Sequence, residues 1–265
     1  MLCTVIRQFL VETLTEQQVD KLLYVAMSGA KQNMNSLAVR ANNLANANTD
    51  GFKSDLEQAR SMQAFGEGLP TRVFSMTESP SANFGHGPIK TTGRDLDIAV
   101  KGDGWLAVQG ADGGEAYTRS GSLSFDSTGL LRNDRGNPIM GDAGPIVLPL
   151  PIEKIEIAQD GVISVRPLGS TAEVIEEVGR IKLVNPGNQN LMRGEDGLFR
   201  QISGEVAAAN PFVSIESGAI EGSNVNAVDE MVSLIDLQRQ FEMQVKMMKT
   251  AEEMDQASSS LMRIS

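Results

Sequence analysis

Residues 23–53 read LYVAMSGAKQNMNSLAVRANNLANANTDGFK, and the fold turns on how this stretch is punctuated. Leu23, Met27, Ala30, Met34, Leu37, Ala41 and Leu44 are spaced by alternating steps of four and three. That is the heptad spacing that lays one apolar line along a helix. From Asp20 to Asn48 there is no proline and only one glycine, Gly29, so helix formation is unopposed. Asn42, Asn43, Asn46 and Asn48 then crowd the end of the line. Asparagine favours helix ends and turns, and Gly51 suits the left-handed position that closes a helix. Phe52 resumes apolar contact beyond it.

The other end of the chain carries the same period. Ala227, Met231, Leu234, Gln238, Phe241, Val245 and Met248 again alternate four and three, and the line continues one residue out of step through Met247, Ala251, Met254, Ser258 and Leu261. No glycine or proline falls between Val225 and Met262. Asn224 or Asn226 suits the N-cap, with Asp229 and Glu230 in the first turn. Such seams alone also suit ordinary core-facing helices. Two of them at opposite ends of one chain invite pairing of the ends.

Between them, all ten prolines and most glycines lie in 66–222. Leu96, Ile98 and Val100 alternate with Asp97, Ala99 and Lys101. Trp105–Val108 and Ala116–Thr118 flank a hairpin turn at Gly110–Gly114. Leu123, Phe125, Leu130 and Leu131 flank Asp126–Gly129. Ile146–Leu148, Ile155–Ile157, Val162–Val165 and Arg180–Val184 continue the series. Turn signals about every ten residues predict an all-β domain. The fold class is therefore α+β: a discontinuous, coiled-coil-type helical domain from both termini with an all-β domain inserted. The divisions fall at 1–18 (an extension), 19–65 (helix and connector), 66–222 (β-rich) and 223–265 (helix).

Composition narrows the chemistry. The chain has 265 residues and a net charge of −11, with no basic stripe for a phosphate backbone. No run of eighteen apolar residues spans a membrane. Cys3 is the only cysteine and His86 the only histidine, which excludes a disulfide framework and leaves a triad or zinc site short of groups. Gly102-Asp103-Gly104 lacks the third glycine of a dinucleotide fingerprint and reads as a turn. Asp95 and Asp97 read as a solvated strand face. Asp126–Asp134 has neither the spacing nor the terminal glutamate of a calcium loop. His86 reads as a surface loop residue. No catalytic, cofactor-binding or metal site is assigned.

Three stretches, in order, resemble the signatures of the flagellar basal-body rod and hook family. They are Asn42–Lys53; Thr92–Val100 with Gly102–Trp105 and Tyr117–Gly121; and Ser223–Val232 with Gln238–Glu242. Within the family, Leu23–Ala30 and the short path from Phe52 into the β-region resemble proximal-rod subunits, with the distal rod as the alternative. The resemblance implies a structural subunit that polymerises through its ends to transmit torque. It also implies export through the flagellar type III apparatus without a cleaved signal, and a place in the periplasmic rod. The implied partners are other rod subunits and itself, with no nucleic acid and no membrane insertion. The assembly interface is expected at Leu23, Met27, Ala30, Met34, Leu37, Ala41, Asn42, Asn43, Leu44, Asn46, Met231, Leu234, Gln238, Phe241, Val245 and Met248. The asparagine amides are expected to fix register, as buried asparagine does in coiled coils. A secreted coiled-coil adhesin and a β-rich enzyme are the competing classes. Met1–Gln18 stands outside the seam and the signatures and is expected to be an artefact of start-site choice, translation beginning at position 19.

Overall fold

The computed structural model describes residues 26–57, 59–63, 73–77, 81–169 and 175–263. Met1–Gln18 and Leu23 lie outside the described residues. The chain divides into two compact units, one built from Met1–Leu44, Leu56–Pro80 and Ala227–Ser265, the other from Ala45–Asp55 and Ser81–Asn226. The architecture is α+β, with a helix near each terminus and antiparallel strands between.

In the first unit, helix α1 is described over 26–45. Helix α2 spans Ala227–Arg263, 37 residues, about 55 Å at the standard rise. Asp229 and Glu230 lie in its first turn, favourable beside the positive end of the helix dipole. A hairpin of Ala59–Gln63 and Val73–Thr77 completes the described part. No helix among the described residues is long and apolar enough to cross a membrane.

The second unit is built around a five-stranded sheet in the order Leu183–Val184, Trp105–Gln109, Glu115–Thr118, Phe199–Gln201, Leu191–Arg193. The hairpin read at Gly110–Gly114 is present: Leu106 faces Thr118 and Gln109 faces Glu115, and Gly110 N donates to Gly114 O at 2.8 Å. Trp105, Leu106, Ala107 and Val108 are all buried because both faces of this strand are covered. Leu106, Val108 and Ala116 join a core with Ile98, Leu123, Leu131 and Ile163. Trp105, Ala107, Tyr117, Leu191 and Phe199 form a second core on the other face. Each of the valine, leucine, isoleucine and phenylalanine side chains among them stabilises the fold by about 1.5–3 kcal/mol when fully buried.

Two readings of surface are corrected here. The strand is Ile98–Lys101, and Ala99 is buried along with Ile98 and Val100, so it is covered on both faces where the alternation predicted one. Asp97 is buried as well, not solvated. Its carboxylate accepts from Thr92 Oγ1 at 2.7 Å and pairs with Arg94 at 3.3 Å, which offsets the cost of burial. Asp126 forms a turn rather than a cation loop. Thr128, through its hydroxyl and backbone N–H, together with Arg132 and Leu130 N–H, holds its carboxyl down to about 2.

Tyr117 supplies a pH-dependent test of the second core. Ala207 N–H donates to its buried phenol at 2.8 Å, and burial pushes the phenol up to about 12. The folded state holds this proton more tightly than the unfolded chain. Its contribution is therefore whole below pH 10 and declines as pH rises from 10 toward about 12. Tyr117→Phe should start lower by about 1–3 kcal/mol, because it orphans a buried N–H, and should lack that decline. Urea unfolding followed from pH 8 to 12 checks both.

Candidate assembly interface

Within the first unit, α1 and α2 lie antiparallel. Arg40 and Asn43, near the end of α1, meet Glu230 at the start of α2 at 3.1 and 3.2 Å. Gly29, near the start of the described part of α1, sits against Gln244 further along α2. A Cβ built at Gly29 would lie 2.8 Å from Gln244 Nε2. Ala26, Ala30, Asn33, Asn43, Glu230 and Ala251 are buried. Small side chains at Ala26, Gly29, Ala30 and Ala251 leave room for the long polar ones between them.

The inward line of each helix is rotated from the apolar seam read in the sequence. On α1 it runs through Ala26, Ala30, Asn33, Leu37, Arg40 and Asn43; on α2 through Glu230, Leu234, Leu237, Phe241, Gln244, Met248 and Ala251. Of the residues expected at an interface, Ala30 and Asn43 are buried, and Leu37, Leu44, Asn46, Leu234, Phe241 and Met248 are half-buried. Met27 is 53% and Met34 61% exposed. Ala41, Asn42, Met231, Gln238 and Val245 are also exposed. Hydrophobic periodicity missed Ala26, Asn33, Glu230 and Gln244, because this pairing rests on small and polar groups; Ala251, on the continuation of the second seam, is buried. The signal that was available is Gly29, the single helix-weakening residue in that stretch.

Large apolar side chains are exposed on the pair, interspersed with charged ones such as Asp236, Arg239, Glu242 and Lys246. Val228, Met231, Val232, Ile235, Met243, Met247 and Met254 are exposed along α2. Two residues of the asparagine cluster bond within the chain. Asn43 Nδ2 donates to Glu230 Oε1. Asn46 O accepts from Thr49 N at 3.1 Å, and Asn46 Oδ1 from Thr49 Oγ1 at 3.2 Å, which turns the chain out of the helix.

In the second unit, the segments that follow α1 and precede α2 run side by side. Gly51, in the left-handed conformation foreseen for it (φ 68°), donates its N–H to Glu221 O at 2.7 Å. Asn224 N donates to Phe52 O at 3.2 Å, and Ser54 N to Asn224 Oδ1 at 2.7 Å. Asn224 is thus spent on this junction, and Asn226 is the residue directly before α2.

Beneath the junction lies a buried ion cluster. Glu221 Oε1 accepts from Lys53 Nζ at 2.7 Å and Gly87 N at 2.9 Å; Oε2 accepts from Arg119 Nη1 at 2.8 Å. The side chains of Lys53, Glu221 and Arg119 are 1%, 2% and 3% exposed. Lys53 also donates to Gly85 O, and Arg119 to Val100 O and Gly102 O. Burial lowers the Lys53 ammonium from its ordinary value. Burial pushes Glu221 upward, but Arg119 and Lys53 outweigh it and hold the carboxyl below its ordinary value.

A cation–aromatic column abuts this cluster. Arg119 lies 5.4 Å from the centre of the Trp105 ring, Trp105 4.7 Å from Phe199, and Arg193 5.0 Å from Phe199 and 4.7 Å from Phe52. Arg193 also pairs with Asp55 at 2.6 Å and donates to Lys53 O. Lys53, Arg119 and Glu221 are far apart in sequence, and no spacing rule would have grouped them. Among the described residues, no group of three or more histidine, cysteine and acidic side chains is arranged to hold a metal ion. His86 is exposed beside Asp103 at 3.3 Å.

The sequence matches three family models along its length: "Flagella basal body rod protein" over residues 23–53, "Flagellar hook protein FlgE/F/G D1 domain" over 99–165, and "Flagellar basal body rod FlgEFG protein C-terminal" over 216–261. It is 42% identical over 253 residues to the flagellar basal-body rod protein FlgF of Escherichia coli (strain K12), covering 93% of this chain and 100% of that protein. It is 40% identical to FlgF of Salmonella typhimurium, with the same coverage, and 34% identical to FlgF of Caulobacter vibrioides, over 91% of this chain and 97% of that protein. The helix pair, the β-rich unit and the junction residues Lys53, Arg119 and Glu221 are therefore those of a member of the flagellar basal-body rod protein family.

Proposed function

We propose that this chain is a structural subunit of the proximal flagellar rod, assembled through α1 and α2 and transmitting torque along the rod. The observation that carries the reading is the set of large apolar side chains on the surface of the helix pair, with Met27, Met34, Met231, Met243, Met247 and Met254 all exposed in the single chain. Large apolar side chains exposed in this number are the kind of surface that other chains cover, and methionine packs against surfaces of varied shape. The partners are neighbouring rod subunits, whose helices meet this face in coiled-coil fashion, and further copies of the chain. The β-rich unit is a rigid spacer. The subunit reaches the periplasmic rod through the flagellar type III apparatus. Helices alone gain little stability in water, so their ordering is completed when neighbours bury the methionine face. The role is mechanical rather than catalytic.

Met34→Asp with Met247→Asp tests this reading. Both sites are exposed, so the isolated chain should keep its unfolding transition. In the assembly each charge would be desolvated, at several kcal/mol per site. Cells should export the variant yet fail to swim, and purified basal bodies should lack it. Normal swimming with the double variant in the rod would exclude the methionine face as the interface.

A further inference from the structure

The junction does more than complete the β-rich unit. Helix α1 ends at residue 45 and α2 begins at Ala227, so roughly 180 residues separate the two partners in sequence. Closing a loop of that length is entropically costly: the cost grows as about (3/2)RT times the logarithm of the loop length, so the effective concentration of the ends falls as roughly its −3/2 power. The Gly51–Glu221 hydrogen bond and the Lys53–Glu221–Arg119 cluster fasten the chain at two points close to the helices. From residue 45 to Gly51 and from Glu221 to Ala227 only about a dozen residues of chain intervene. By the same scaling, the fastened chain brings α1 to α2 at an effective concentration on the order of fifty-fold higher than a free 180-residue tether would.

We propose that Lys53, Arg119 and Glu221 form a clasp whose function is to make the pairing of α1 with α2 a same-chain event. Neighbouring copies of a subunit with such terminal helices offer a competing, exchanged pairing, with α1 of one chain on α2 of another. The clasp settles that competition before any neighbour arrives, and Arg40, Asn43 and Glu230 then hold the near end of the pair in register. Lys53 suits the task because its buried ammonium depends on the Glu221 carboxylate of the other segment. A buried cation or carboxylate without its partner is strongly disfavoured, so the clasp is shut only when both segments are in place. The inference concerns pairing within one chain and is tested on the isolated chain, so it stands or falls apart from the reading of the rod.

The test lengthens the tether and leaves the clasp intact. About 24 Gly/Ser residues are inserted between Val225 and Asn226, tripling the free length and lowering the effective concentration about fivefold. Two readouts cover both regimes. Amide protection across 227–251 follows pairing when the pair is mostly closed. When it is mostly open, the glutathione-referenced equilibrium of a disulfide between Gly29→Cys and Gln244→Cys, in a Cys3→Ser background, follows it. One of the two should fall about fivefold, while the unfolding transition seen through Trp105 stays in place. If neither readout moves, the tether does not govern pairing and the proposal is wrong. Should the insert disturb the Trp105 transition, the same insert after Ala47, on the arm that follows α1, measures the same quantity and decides between the two outcomes.

Discussion

Glu221→Gln is expected to lower the stability of the β-rich unit by about 3–5 kcal/mol, the usual cost of removing one partner from a buried ion pair. The change is nearly isosteric, so packing is preserved and the loss is electrostatic. Lys53 and Arg119 would remain buried with only carbonyl oxygens and an amide to face. Lys53→Met is expected to cost less, because the Arg119–Glu221 pair survives and the surplus cation is gone. The pH dependence has a definite sign. The Glu221 carboxyl is held below its ordinary value of 4.5, so its contribution is present above that pH and lost as pH falls through the depressed value. The gap between wild type and Glu221→Gln should therefore narrow as pH drops below 4.5 and be constant near neutrality. Urea titrations followed by Trp105 emission, which lies beside Arg119, measure it. A gap of under about 1 kcal/mol at pH 7 would show that the cluster is not a coupled unit.

Gly51→Ala is expected to be of similar size, at about 3 kcal/mol or more, for a different reason. The φ of 68° alone costs an alanine about 1–2 kcal/mol. In addition, its Cβ would lie 2.3 Å from Arg119 C and Ser120 N, which are backbone atoms with no flexible end to swing aside. The two segments would have to part, and the Gly51–Glu221 hydrogen bond would go with them. Gly93→Ala separates the two effects. Gly93 has φ 72° but nothing within 4 Å of its Cβ position, so only the conformational cost of about 1–2 kcal/mol remains. Equal losses at both positions would mean that the close approach of Gly51 to the Arg119 turn contributes nothing.

Much of the architecture was legible because it rests on local rules. A stretch with no proline and at most one glycine and with an apolar period near 3.5 forms a helix wherever its partner lies, hence α1 and α2. Gly110–Gly114 between two apolar runs makes a hairpin from its own backbone preferences. Gly51 after an asparagine cluster closes a helix. The readings that failed concern faces. Ile98–Val100 alternates in the sequence as a strand with one apolar face, and Asp97 reads as solvated, but a strand covered on both faces buries either parity. The helix pair illustrates the same limit: the apolar seam was visible, yet the inward line runs through Ala26, Asn33, Glu230 and Gln244, and the methionines face out.

The sequence by itself determined the family, the two terminal helices, the β-rich centre and the turn at Gly51, because each follows from residue types within a few turns of one another. Only the tertiary structure decided which faces the helices present to each other, and that Lys53, Arg119 and Glu221 share one buried site. Those three residues lie 66 and 102 positions apart in sequence. A charge becomes part of a cluster only when folding removes water from around it and brings its partner within 3 Å, and no local pattern encodes that.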